Sequence, residues 1–114
     1  MKATDFIYYV VEDLLSEMKG VTHRAMFGGY GIYKSDVMFA IIVDDQLYFK
    51  TDDTNRKDFK RSGSCPFIYQ SRGRSVTMSY WEVPAKVMDD RNEITEWAER
   101  SWKINSKTKR KEAR

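Results

Sequence analysis

The sequence is poor in the residues from which small proteins build covalent or metal-held frameworks: Cys65 is its one cysteine and His23 its one histidine, among 114 residues. A single cysteine excludes an intrachain disulfide, and one Cys with one His cannot assemble a Cys/His metal cage. This usage fits a reducing, cytoplasmic home. Long apolar runs are missing as well. The longest, Val37 to Val43, has seven residues, far short of the ~20 of a spanning helix, and the N-terminus lacks the basic stretch and unbroken apolar segment of a secretory signal. No membrane association is expected. There is also no internal repeat and no low-complexity linker before Lys103.

What is present is apolar and aromatic. Hydrophobic residues make up 41% of the chain and aromatics 14%, enough buried area to offset chain entropy despite the 32% of charged residues. The length suits one domain with one core. The formal charge of +3 hides a division. The last twelve residues hold six cations, Lys103, Lys107, Lys109, Arg110, Lys111 and Arg114, against Glu112 alone, so the preceding body is near neutral. The sequence therefore divides into a folded body over 1–102 and a basic tail over 103–114. Such a tail is either a solvated helix end or a phosphate-contacting arm.

A second basic stretch runs through Arg56, Lys57, Lys60, Arg61, Arg72 and Arg74, with Asp58, Phe67 and Tyr69 among the cations. Aromatics interleaved with cations can stack bases while neutralising phosphates. The plainer reading is a solvated helix face followed by a hairpin tip, with Phe67 and Tyr69 in the core, and the sequence favours it. The nucleic-acid candidates are accordingly Arg72 and Arg74 at the hairpin and Lys107, Lys109, Arg110 and Lys111 in the tail.

Periodicity supplies the elements. Phe6, Ile7, Val10, Val11, Leu14, Leu15 and Met18 recur at helical spacing after Thr4, a candidate cap, and Gly20 ends the run. The stretches 25–33, 37–43 and 46–50 read as three strands in an antiparallel meander, since Lys34-Ser35-Asp36 and Asp44-Asp45 are too short for anything but tight turns. A short helix capped by Asp52 or Asp53 runs to Ser62, anchored by Phe59, with Gly63 as its terminator. The runs 67–70 and 75–82 flank Ser71-Arg72-Gly73-Arg74 as a second hairpin, Pro84 starts a helical turn, and a last helix begins at Asp90 with Ile94, Trp97, Ala98 and Trp102 as its apolar stripe. The order α-β-β-β-α-β-β-α makes a two-layer α+β fold, a five-stranded antiparallel sheet with helices on one face.

Tests for chemistry return little. Gly28, Gly29 and Gly31 sit in a strand-like context and lack both dinucleotide spacing and a following Lys-Ser/Thr, so they mark a bend or a close approach, not a phosphate cradle. His23 has no nucleophile or partner in sequence, and Cys65 has no histidine pairing. Asp44-Asp45 and Asp52-Asp53 are explained by turns and caps. Met18, Met26, Met38, Met78 and Met88 fall mainly in apolar patterns that assign them to the core. No catalytic residue, cofactor or metal is expected.

The segments Arg24-Ala25-Met26-Phe27-Gly28-Gly29-Tyr30-Gly31-Ile32-Tyr33, Met38-Phe39-Ala40, Leu47-Tyr48-Phe49-Lys50, Pro66-Phe67-Ile68-Tyr69 and Met78-Ser79-Tyr80-Trp81-Glu82-Val83-Pro84 together resemble the N-terminal domain of the TfoX/Sxy family, over roughly residues 5 to 102. The resemblance implies a secretion-chaperone-like α+β domain and a place in the regulation of natural competence, where family members act as transcriptional co-activators beside the cyclic-AMP receptor protein. It brings no enzymatic activity and no cofactor. The second, helical C-terminal domain of the full-length regulators has no counterpart in the short basic tail. Three functions stay open: a regulatory module with a protein partner such as a transcription complex, sequence-tolerant nucleic-acid binding, and a chaperone-like peptide-binding module. Whether the chain forms a homodimer through an exposed sheet face stays open.

Overall fold

The computed structural model describes the backbone of residues 3–26 and 28–112 and the side chains of residues 5–26 and 28–107. The chain opens with α1 (Ala3–Tyr8), which continues as a π-helical stretch over Tyr9–Leu14. Thr4 is thus a residue inside the helix and not its cap. The six strands that follow are β1 (Val21–Met26), β2 (Gly29–Lys34), β3 (Val37–Val43), β4 (Gln46–Lys50), β5 (Pro66–Ser71) and β6 (Arg74–Glu82). Between β4 and β5 lies α2 (Arg56–Arg61), and α3 (Ala85–Met88) and α4 (Arg91–Glu112) close the chain.

The sheet is antiparallel throughout, in the order β1-β2-β3-β4-β6-β5. Six strands replace the five expected. The stretch 25–33, read as one strand, is the inner part of a hairpin in which Met26 is the register partner of Gly29. Gly28 sits at φ +74°, a backbone that glycine adopts without a Cβ penalty, and there the chain reverses. Alternation read from sequence cannot distinguish a continuous strand from two strands joined by so tight a turn.

Helix and sheet form two layers around one core. Directly paired residues of an antiparallel ladder point to the same side, so the pairs Ile32–Ala40, Ile42–Leu47, Ala40–Phe49 and Phe49–Trp81 mark the face beneath the helices. Ile7, Val10, Leu14, Leu15, Met18, Phe59, Val83, Val87, Ile94 and Ala98 meet them there. The register slips between Ile32 and Tyr33, which leaves Phe39 as an extra residue of β3. Both Phe39 and Ala40 are consequently buried.

The caps differ in detail from the sequence reading. Asp90 Oδ1 accepts from the amides of Asn92 (3.0 Å) and Glu93 (3.1 Å), a true N-cap for α4. Residue Asn55, not Asp52 or Asp53, precedes α2, and its side chain accepts from the Asp52 amide at 2.9 Å. Helix α4 then clasps the sheet through strand-end carbonyls. Ser101 Oγ donates to Lys50 O (2.8 Å), Trp102 Nε1 to Lys34 O (2.8 Å) and Asn105 Nδ2 to Met38 O (2.7 Å).

Candidate functional site: an open sheet face and a basic cleft

The pairings that place Ile42, Leu47 and Phe49 under the helices turn their neighbours the other way. Gly31–Ile41, Tyr33–Met38, Ile41–Tyr48 and Tyr48–Glu82 define the second face of the sheet. Met26, Tyr33, Met38, Val43 and Tyr48 there are half-buried and Ile41 is buried. At its centre Gly31 leaves a hollow. A Cβ at Gly31 would lie 2.7 Å from Met26 Sδ and 2.9 Å from Met38 Sδ, so the two thioethers occupy the space that a side chain would take. Their exclusion from the core cluster corrects the assignment of Met26 and Met38 to the core, which holds for Met18. Thioethers are pliable and polarizable, and they suit an adaptable contact surface.

Phe67 extends this face. Its ring centroid lies 5.2 Å from that of Tyr48, and the pair Tyr69–Val76 follows on the same side. Neither Phe67 nor Tyr69 belongs to the core, contrary to the plainer sequence reading. They lie on the face away from the helices, and strand length adds to their exposure. Strand β4 pairs with β6 only from Tyr48–Glu82 to Lys50–Tyr80, whereas β6 runs on to Arg74 with β5 alone beside it. The distal part of the β5–β6 hairpin is a two-stranded ribbon beyond the layered body, leaving Ile68 50%, Tyr69 45% and Val76 45% exposed.

Arg72 and Arg74 stand at the ribbon tip, both exposed, with Arg72 at φ +50° in the turn. Lys107 lies elsewhere, in a cleft of about 580 Å³ between the end of β4 and α4, lined by Lys50, Thr51, Asp52, Thr54, Arg100, Lys103, Ile104 and Lys107. The structure therefore does not gather the predicted cations into one site. Lys109, Arg110 and Lys111 belong to α4 by their backbone, and their side chains lie outside the described residues. The cleft also contains cations that the sequence reading did not single out, Lys50 and Arg100, which are 50 residues apart in the chain and carry no local motif.

Electrostatics in the cleft are partly balanced. Burial lowers the Lys50 ammonium below its ordinary value, Arg56 lowers it further, and Asp52 opposes both. Lys50 Nζ lies 2.5 Å from Ser79 Oγ and 5.5 Å from the centroid of the Tyr80 ring. Burial acts to raise Asp52, but hydrogen bonds from Thr54 and the charges of Arg56 and Lys107 outweigh it and hold the carboxyl low. Arg56 pairs with Asp53 at 3.1 Å and Arg100 with Asp58 at 2.9 Å.

The ring of His23 lies edge-on between Tyr8 and Tyr30, both at 5.8 Å. Cys65 is an exposed free thiol, 3.9 Å from Glu82 Oε2. Asp44 and Asp45 both have positive φ in the β3–β4 turn, as their short polar side chains permit. Among the described residues no group of three or more His, Cys, Asp or Glu could hold a metal ion, and no helix is long and apolar enough to cross a membrane.

Comparison with known proteins finds similar sequences. Protein Sxy of Escherichia coli (strain K12) is 27% identical over 75 residues, 66% of this chain and 36% of that protein. The DNA transformation protein TfoX1 of Aliivibrio fischeri is 30% identical over 60 residues, 53% of this chain and 29% of that protein. The aligned segment spans about a third of the length of these curated relatives. The TfoX N-terminal domain profile matches residues 13–104, from the π-helical stretch through all six strands and into α4, and the chain belongs to that family.

Proposed function

We propose that this domain is a non-catalytic recognition module of competence regulation, a transcriptional co-regulator that works through protein contacts on the helix-free face of its sheet. One observation carries the reading: Met26, Tyr33, Met38, Ile41, Tyr48 and Phe67 form a connected apolar and aromatic surface that, among the described residues, meets a helix only at its margin, where Asn105 of α4 donates to Tyr80. Apolar surface shared by several strands marks interfaces more often than solvent-facing decoration. Names support the regulatory context, since one relative is a DNA transformation protein. A photo-crosslinking residue at Tyr48, compared with one at Glu96 on exposed α4, tests it in bacterial cells. Tyr48 is expected to capture a subunit of the transcription machinery and Glu96 not to. Equal capture at the two positions, or none at Tyr48, removes the face from consideration.

The cleft favours a second reading, sequence-tolerant nucleic-acid binding by Lys50, Lys103 and Lys107, extended by Lys109, Arg110 and Lys111, with Arg72 and Arg74 as a separate contact. If two to four phosphates are neutralised, log affinity falls against log salt with a slope of roughly 2 to 4. Replacing Lys103 and Lys107 by Gln is expected to reduce that slope by about 2. Salt-independent binding, or none, sinks this reading while leaving the protein-contact one untouched.

A further inference from the structure

The sheet ends in β5, and no described strand pairs with the outer side of that strand. An edge strand is a row of unpaired backbone groups, and proteins that do not use such an edge commonly interrupt it with charges or bulges. The other edge, β1, follows that practice. His23 and Arg24 lie at its middle, and Arg24 reaches Asp36 at 3.5 Å. Strand β5 does not. From Phe67 to Ser71 it reads Phe-Ile-Tyr-Gln-Ser, without a charge, and Ile68 and Tyr69 are exposed at 50% and 45%.

Charge instead marks the two ends of β5, with opposite signs. At one end Glu82 lies beside Cys65, with Cys65 Sγ 3.9 Å from Glu82 Oε2. At the other end Arg72 stands in the hairpin turn and Arg74 directly after it. A strand with this layout repels a parallel copy of itself, because like ends would meet. It attracts an antiparallel copy, in which each basic tip passes the other's Glu82.

We infer that β5 pairs antiparallel with β5 of a second copy of this chain, about a two-fold axis at Ile68, giving one continuous twelve-stranded sheet across the dimer. Face and composition together select the register. A two-fold axis normal to the sheet keeps each face on its own side, so paired residues must share a face. With Ile68 on the axis, Phe67 of each copy meets Tyr69 of the other on the helix-free face, Pro66 meets Gln70, and Cys65 meets Ser71. The two Phe–Tyr pairs then continue the Tyr48–Phe67 contact from one copy into the next. Centring on Tyr69 instead would place Phe67 against Ser71 and leave one aromatic pair, Tyr69 with its own copy, in place of two. The inference is independent of the protein-contact reading and of the nucleic-acid reading, and it joins two helix-free faces into one.

The native thiol provides the test. Facing residues in an antiparallel ladder have Cα atoms about 4.5–5.5 Å apart, within disulfide range. Positions 65 and 71 of one strand are separated by about 20 Å and cannot bridge within a chain. Under mild oxidation the full chain carrying Ser71→Cys is expected to yield disulfide-linked dimers, whereas the unaltered chain and Gln70→Cys, on the opposite face, yield at least about tenfold less. Sedimentation from about 1 to 100 µM is expected to show a monomer–dimer equilibrium that Ile68→Glu weakens at least tenfold. Ile68 lies in the exposed ribbon, and circular dichroism verifies that the variant is folded. A chain that stays monomeric across that range, or cross-linking equal at positions 70 and 71, overturns the proposal.

Discussion

The two halves of the sheet share one hydrogen-bonded ladder but differ in what lies over it. In β3 and β4 the side chains of Phe39, Leu47 and Phe49 are sealed beneath α4 and the first helix. In the distal ribbon every residue from Arg72 to Thr77 is exposed. Ladder hydrogen bonds contribute little net stability, because water satisfies the same groups in the unfolded chain. The sealed half therefore holds the fold together by burial. Stability does not account for the apolar side chains of the ribbon, which leaves them available for contact with other molecules.

Mutations should separate the halves sharply. Phe49→Ala is expected to cost the most, about 3–5 kcal/mol, because it opens a cavity next to Phe39, whose ring centroid is 6.2 Å away; urea unfolding measures it. An intermediate effect is expected at the boundary. Burial pushes the Tyr80 phenol up to about 12 from 10, against the hydrogen bond from Asn105 Nδ2 and with a small contribution from Tyr33. A phenol raised in the folded state stabilises that state below the unfolded pKa of ~10, and the contribution fades as pH climbs from ~10 through 12. Unfolding free energies at pH 9 and pH 11.5 should accordingly differ by an additional 2 kcal/mol or so in the native chain relative to Tyr80→Phe. The smallest change is expected in the ribbon. Tyr69→Ala should shift monomer stability by no more than ~0.5 kcal/mol, measured at low protein concentration. A loss as large as that of Phe49→Ala would mean that the ribbon is sealed after all, and the comparison would fail.

Much of the layered half was legible in the sequence. The period of the first helix, the Asp90 cap, the turns at Ser35-Asp36 and Asp44-Asp45, and Phe59 as the anchor of α2 are local signals, and local chemistry fixes them. The sixth strand was not, because a tight reversal at Gly28 within an apolar, glycine-rich run leaves the alternation unbroken. Phe67 and Tyr69 were misplaced for a different reason. Hydrophobic pattern shows that a strand has an apolar side, but not which face of the sheet that side joins, nor whether a neighbouring strand runs far enough to cover it. Met26 and Met38 failed in the same way, since β-strand periodicity does not label which face carries the helices. The cleft was half visible. Lys103 and Lys107 stood out as tail cations, while Lys50 and Arg100 join them only through the packing of α4 on β4.

The clasp of α4 on the sheet bears on how the domain comes apart. Ser101, Trp102 and Asn105 hold the carbonyls of Lys50, Lys34 and Met38, residues that belong to β4, β2 and β3. Undocking this one helix releases three strand ends together, so fraying of the sheet and departure of α4 form a single cooperative opening. The indole of Trp102, with the Lys34 ammonium 4.9 Å from its ring centroid, gives that opening a built-in optical reporter.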